Sequence, residues 1–309
     1  MSGKKVLITG GLGNLGSWLT TYFSNKYEVY VLSKNVSNQL KCKYKVITVD
    51  ITDFNDLKLK LSIEFDYCIH TASYNEFFHE NYPKDALLIN SLGTRNLIEI
   101  LKDTNIKKFI YVSTFHVYGL DKGIITEASE FNPKNDYAST HLFAEYYLKQ
   151  FFCTDKFPFI TFRLTNSYGS PKYQNSNKWY LVLNNLVKTA YEKNKIILNG
   201  NGKASRDFIW MGDVCEIIER SFQLKGSNTF NLSSNITFSM LEVAKMVQKI
   251  YIERYKKDIV ISVNKDDKTK CLNLKVDNSK LKNFINLDFK NKFYEEIENI
   301  FKLLEEKKQ

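Results

Sequence analysis

The first strand-like run of this sequence ends in Thr9-Gly10-Gly11-Leu12-Gly13-Asn14-Leu15-Gly16. Glycines at 10, 13 and 16 permit a tight turn and let the backbone approach a pyrophosphate at the amino end of a helix. The triplet follows a strand and opens a helix within a βαβ pattern, with Asn14 and Leu15 inside the turn, which is the context a dinucleotide site requires. A glycine-rich turn without a ligand is the bland alternative. The next strand ends in Leu32-Ser33-Lys34, where an acidic residue would hydrogen-bond the ribose of NAD and repel the 2′-phosphate of NADP. No acid stands there. Lys34 suits a phosphate partner as well as it suits plain solvent exposure, so NAD and NADP both stay open.

Such residues need a scaffold, and the chain supplies an alternating one. Strand-like runs fall at 4–10, 28–33, 45–50, 67–72, 108–114 and 158–164. Helical patterns lie between them, after Gly13, from Asp53, from Lys84 to Lys102 and from Tyr137 to about Gln150. Strands apolar on both faces, alternating with helices, predict an α/β fold with a doubly wound, Rossmann-type parallel sheet. Right-handed crossovers then place ligands at the carboxyl ends of the strands, where the strand order reverses. Beyond about residue 165 the pattern loosens into helices near 178–193, 212–222, 239–255 and 292–306, separated by short strands. The expected division is a dinucleotide-binding domain over 1–165 and a smaller mixed α/β substrate lobe over 166–309, part of it packing back on the first domain.

Further segments carry a resemblance. Val49-Asp50-Ile51, Ile69-His70-Thr71-Ala72-Ser73, Asn90-Ser91-Leu92-Gly93-Thr94-Arg95-Asn96-Leu97 and Tyr111-Val112-Ser113-Thr114-Phe115-His116-Val117-Tyr118-Gly119 follow one another along the first half. Arg163-Leu164-Thr165-Asn166-Ser167-Tyr168-Gly169, Ser205-Arg206-Asp207-Phe208-Ile209-Trp210, Phe230-Asn231-Leu232 and Asp277-Asn278-Ser279-Lys280 continue the series. In order and coverage these resemble the extended short-chain dehydrogenase/reductase family of nucleotide-sugar epimerases, dehydratases and reductases.

The resemblance implies roles. Asp50 and Ile51 match the family's adenine-contacting turn; Thr71, Ala72, Ser73 and Ser113 match strand ends beside the cofactor. Thr114 and Tyr137 stand where the family grips the substrate oxygen, Tyr137 as acid/base. The family's Y-x-x-x-K is here Tyr137-Ala138-Ser139-Thr140-His141, and the i, i+4 spacing puts both side chains on one helix face. Lysine supplies a permanent cation. Histidine, with an ordinary pKa of about 6.5, supplies one only part of the time at neutral pH, yet can still donate to the ribose. A cationic role predicts a bell-shaped pH–rate profile, and a neutral hydrogen-bonding role predicts none. Phe115 and His116 occupy the place of the Asp-Glu pair of the family's dehydratases, and an apolar ring protonates no leaving hydroxyl. His116 stands where GDP-fucose-synthase-like members have an acid/base cysteine, and reads equally as a proton carrier or a spectator. Asn166 and Arg206 match contacts to the sugar nucleotide, Arg206 facing the diphosphate; the alternative for Arg206 is a structural ion pair with Asp207 or another carboxylate. His70 and His79 read as structural.

Composition bounds the rest. The chain has 309 residues, 43% of them hydrophobic, and no apolar run long enough to span a bilayer. Its net charge of +10 comes from dispersed lysines, whereas a nucleic-acid binder concentrates its charge on one element, so no nucleic-acid partner is expected. Cysteines 42, 68, 153, 215 and 271 form no CxxC pair, which points to neither a disulfide framework nor a zinc site, and no metal is expected. The first strand follows the start directly, without a signal-peptide pattern, and the reading is cytoplasmic. The resemblance further implies a homodimer formed through the helices at 84–102 and 137–150. The function expected is hydride transfer between nicotinamide and a sugar carbon, C4 by preference, in a nucleotide-linked sugar. A 4-epimerase with bound NAD and a non-catalytic nucleotide sensor are the alternatives.

Overall fold

The computed structural model describes residues 3–36, 40–75, 81–173, 176, 178–268 and 274–306, so His79 and Cys271 lie outside the described residues. The chain opens with β1 (Lys5–Thr9), α1 (Asn14–Phe23), β2 (Glu28–Ser33), β3 (Lys45–Thr48), α2 (Phe54–Lys60) and β4 (Tyr67–His70). A long helical passage follows: α3 (Tyr82–Ala86), a π-helical stretch (Leu87–Gly93) and α4 (Thr94–Leu101). Next come β5 (Lys108–Thr114), β6 (Gly123–Ile125), α5 (Asp136–Asp155), β7 (Phe159–Leu164) and β8 (Asn166–Tyr168). The remainder runs α6 (Val182–Lys193), β9 (Lys195–Leu198), β10 (Ser205–Trp210), α7 (Met211–Ser221), β11 (Asn228–Leu232), β12 (Thr237–Ser239) and α8 (Met240–Tyr255). It closes with β13 (Val260–Val263), β14 (Leu274–Val276), α9 (Ser279–Phe284) and α10 (Phe293–Glu306).

Seven strands form one sheet in the order β11-β7-β5-β4-β1-β2-β3, every pair parallel. This is the doubly wound α/β architecture expected from the alternating pattern. Side-chain alternation divides the core in two. Val6, Ile8, Val29 and Val31 pack with α1 and α7 on one face, while Leu7, Tyr30, Leu32 and Tyr111 pack with α2, α4 and α5 on the other. The order reverses at β1, which lies between β2 and β4, so the crevice opens at the carboxyl ends of β1 and β4. A strand and a helix from beyond residue 165, β11 and α7, belong to this layer. The rest of the second half builds a smaller layer from β8, β10 and β12, the β9–β13 pair, and α6, α8 and α10 around a core of their own.

Polar pins explain how the helix that carries Tyr137 is held. The Asn135 side chain accepts from the Ala138 N–H at 2.8 Å and caps α5 just before Tyr137; such a cap contributes about 1 kcal/mol. Asn90 donates to Thr140 Oγ1 and accepts from the Tyr74 N–H, and Ser91 donates to the Thr140 carbonyl. Asn96 donates to the Ile51 carbonyl at 3.1 Å. The Asn90-to-Leu97 segment therefore clamps α5 on one side and the turn after β3 on the other.

Candidate active site

The glycine turn is sterically dictated. Gly10 has φ +64°, and a Cβ there would lie 2.8 Å from the Ala72 Cα; one on Gly16 would lie 2.0 Å from the Gly10 carbonyl oxygen. Gly13 N–H closes the turn on the Gly10 carbonyl at 2.8 Å, and α1 begins at Asn14 with no side-chain cap and no acid in its first turn. An uncapped amino end of this kind attracts anions.

His70 is structural, and counting protons shows how. The Thr94 hydroxyl donates to the Asn90 carbonyl, so it accepts from His70 Nε2–H at 2.8 Å. His70 Nδ1 is then bare and accepts from the Thr9 hydroxyl at 2.5 Å, whose oxygen in turn accepts from the Ala72 N–H. The chain ties the end of β4 to the glycine turn. Burial pushes the His70 imidazole down to about 3, so it stays neutral.

One cleft brings together Gly10, Gly13, Asn14, Leu15, Gly16, Thr71, Ser73, Thr114, His116, Tyr137, His141, Asn166 and Arg206. Thr114, buried at the end of β5, accepts from the His116 N–H at 3.2 Å. The Tyr137 and His141 rings meet edge to face at 4.5 Å between centroids, as the i, i+4 spacing predicts. Burial pushes the Tyr137 phenol up to about 12, and a hydrogen bond with the Thr114 side chain offsets only part of that. His141 is 2% exposed; burial, then the neighbouring His116, push its imidazole down to about 3. Its Nδ1 lies 2.6 Å from the Tyr111 hydroxyl, and its Nε2 is buried without a partner. The His116 ring lies tilted against Phe115, 4.3 Å between centroids, and meets Tyr137 edge on; partial burial and the Arg206 charge hold its imidazole below the usual value.

Arg206 and Asp207 point to opposite sides of β10. The Asp207 carboxylate accepts from Thr165 at 2.6 Å and Ser233 at 2.9 Å, so it is engaged away from Arg206. Asn166 donates to the Asp207 carbonyl at 3.0 Å.

Other residues named from the motifs lie outside the cleft lining. Ser33 donates to the Asn35 carbonyl, and Lys34 pairs with Asp50 at 2.7 Å, which raises Lys34 and, with the Thr52 hydrogen bonds, lowers Asp50 against the effect of burial. Ile51 is buried in the core on the sheet face covered by α2, α4 and α5, and Ala72 is half-buried with its backbone against Gly10 of the glycine turn. Ser113 faces α5 and donates to Glu145 at 2.6 Å. Glu145 is the buried partner of Arg163, which also donates to Tyr118.

Residues that no sequence motif singled out also line the cleft. Lys178 and Tyr180 reach Asn75 at 3.4 and 3.0 Å, joining the segment before α6 to the loop after β4. Phe208 and Met211 are further members of the lining. A second, more open depression of about 760 Å³ beside Arg163 and Lys280 contains none of the candidate residues.

The described residues fit a dinucleotide: a glycine turn that a Cβ would block, an uncapped helix end, and buried, unpartnered Asn14 Oδ1 and His141 Nε2 in the cleft wall. Among the described residues no His, Cys, Asp or Glu cluster gathers to hold a metal, and no helix is long and apolar enough to cross a membrane.

Fold and cleft together define a Rossmann-type dinucleotide-binding protein. The profile of the NAD dependent epimerase/dehydratase family matches residues 6–233, and the chain belongs to that family. The dTDP-D-glucose 4,6-dehydratase of Dictyostelium discoideum is 30% identical over 81% of this chain, which spans only 62% of that relative's length. The GDP-6-deoxy-D-talose 4-dehydrogenase of Aggregatibacter actinomycetemcomitans is 28% identical over 93% of this chain and 92% of its own. Among solved structures, the UDP-N-acetylglucosamine 4-epimerase from Methanobrevibacter ruminantium M1, in complex with UDP-N-acetylmuramic acid, superposes with a TM-score of 0.86 at 22% identity, covering 99% of this chain and 100% of that one. The family expected from the motifs is thus the one to which the chain belongs.

Proposed function

We propose that this chain is a nucleotide-sugar oxidoreductase that interconverts a carbinol and a ketone at the sugar's C4. The observation that carries this reading is the convergence of Thr114, Tyr137 and His141 on the cleft that the glycine turn opens, with Asn166 and Arg206 on the facing wall. The nicotinamide, when bound, takes or returns the hydride. Thr114 holds the substrate oxygen, and Tyr137 gives a proton to that oxygen in the reducing direction or takes it in the oxidising one. His141 orients the ribose, the uncapped end of α1 receives the pyrophosphate, and Arg206 receives the sugar's diphosphate. Phe115, at the place of the dehydratases' acid, cannot protonate a leaving hydroxyl, which supports a net dehydrogenase or reductase. The relative matched along nearly its whole length is a 4-dehydrogenase.

The test is absorbance at the reduced-nicotinamide band with candidate nucleotide sugars and both NAD and NADP. Net cofactor conversion is the expected result. A changed sugar with unchanged cofactor assigns a 4-epimerase, and binding with neither change assigns a sensor. In either of those cases the oxidoreductase reading falls.

Arg206→Ala is expected to weaken nucleotide-sugar binding by about 1.5–3 kcal/mol, the worth of a hydrogen bond to a charged group, with cofactor affinity unchanged. Calorimetry showing the loss on the cofactor side instead would move Arg206 out of the substrate site.

The reading includes a homodimer in the cytoplasm, where the free thiols at Cys42, Cys68, Cys153 and Cys215 suit a reducing setting. Leu87 and Leu92 on the π-helical stretch and Phe143 and Tyr146 on α5 stay exposed, an apolar face that a second copy would cover. Sedimentation should show a dimer that Phe143→Glu converts to monomer. A monomeric parent protein would end the dimer proposal.

A further inference from the structure

Tyr111 lies within β5, on the sheet face covered by α4 and α5, and its side chain is fully withdrawn from water. Among the described residues its hydroxyl has one hydrogen-bond partner, His141 Nδ1 at 2.6 Å. The hydroxyl proton therefore reaches an acceptor only by donation to Nδ1. The imidazole proton then sits on Nε2, the nitrogen buried without a partner in the cleft wall. The opposite arrangement, Nδ1–H donating to Tyr111, would strand a buried hydroxyl proton and a bare Nε2 lone pair together. Two unsatisfied groups cost more than one. His70 stacks on Tyr111, but both its nitrogens are taken by Thr9 and Thr94, so it does not compete for the hydroxyl.

We propose that Tyr111 is a positioning residue that holds His141 as its Nε2–H tautomer, so that a neutral imidazole presents an N–H to a ribose oxygen of the bound dinucleotide. The role rests on the dinucleotide site of the function proposed above. It explains how the site keeps a donor after exchanging lysine for histidine. Lysine brings three donors of its own, whereas imidazole brings one in the right place only when the other nitrogen is told to accept.

The test is a long-range proton–nitrogen correlation on protein with ¹⁵N-labelled histidine, with His141 assigned through His141→Gln. The protein alone, at neutral pH, should show a bare Nδ1 and a protonated Nε2. Tyr111→Phe should release that preference into exchange between tautomers and weaken binding of NADH or NADPH about 3- to 10-fold, the scale of one net hydrogen bond. In a His141→Gln background, where an amide donor has no tautomer to fix, the same Tyr111→Phe change should cost less than about twofold. A protonated Nδ1 in the parent protein overturns the proposal, and so does an equal loss in both backgrounds, which would be the mark of mere packing. The tautomer is read without catalysis. A protein with the fixed tautomer and the coupled dinucleotide binding, but no conversion of any nucleotide sugar, would sink the oxidoreductase reading and leave the role of Tyr111 standing.

Discussion

Tyr137→Phe is expected to slow turnover about 10²–10⁴-fold with cofactor affinity nearly unchanged. Phenylalanine keeps the ring and with it the edge-to-face contact with His141 at 4.5 Å and the wider one with His116 at 6.4 Å. What it removes is the hydroxyl that meets the Thr114 side chain in the cleft. No neighbour replaces that hydroxyl cheaply. His141 has Nδ1 committed to Tyr111, and Phe115 is apolar. His116, whose ring meets that of Tyr137, is a neighbour able to move a proton, and the residual rate measures its reserve. The measurement is steady-state turnover beside calorimetric cofactor affinity. Activity within a few-fold of the parent would take Tyr137 out of the chemistry and leave His116 as the proton carrier.

The parts of this site legible in the sequence are those whose geometry is local. A glycine triplet between strand and helix has one way to turn, and Gly10, Gly13 and Gly16 turn that way. Tyr137 and His141 share a helix face because four residues make about one turn. The strands followed from runs apolar on both faces, and six of those runs became strands of the parallel sheet. Long-range pairings were not legible. Tyr111 sits in a uniformly buried strand and reads as core, and only the fold brings its hydroxyl to His141, 30 residues on. Ser113 is next to Thr114, yet strand alternation turns it away from the cleft and onto Glu145. Lys34 read as free to meet a phosphate until the turn after β3 brought Asp50 against it. Lys178 and Tyr180 belong to no motif, since the loop that carries them is placed by contacts between the two halves of the chain.

The second large effect concerns pH. Burial holds the His141 imidazole near 3, below its unfolded value, so the group is neutral from about pH 5 upward and does not titrate in the working range. Tyr137 is shifted the other way, up to about 12, and remains a phenol throughout that range. The reducing direction needs the phenol, so its rate should be flat with pH. The oxidising direction needs the phenolate, whose fraction grows about tenfold per pH unit while the pH stays below the pKa. That rate should therefore climb through pH 9 with neither a plateau nor the descending limb that a required imidazolium would impose. His141→Lys restores a cation one helical turn from Tyr137. An opposite charge at that range lowers a phenol's pKa by about 1–3 units, giving about 10- to 1000-fold more phenolate at a given pH, partly offset because the weaker base accepts a proton less readily. The oxidation profile should then level off within the measured range, and the neutral-pH rate should rise. Lysine cannot accept the Tyr111 proton, so a modest loss of cofactor affinity is compatible with this outcome, and rates must be compared at saturating cofactor. An alkaline descending limb in the parent protein would show that the imidazolium does the work and that burial does not keep His141 neutral.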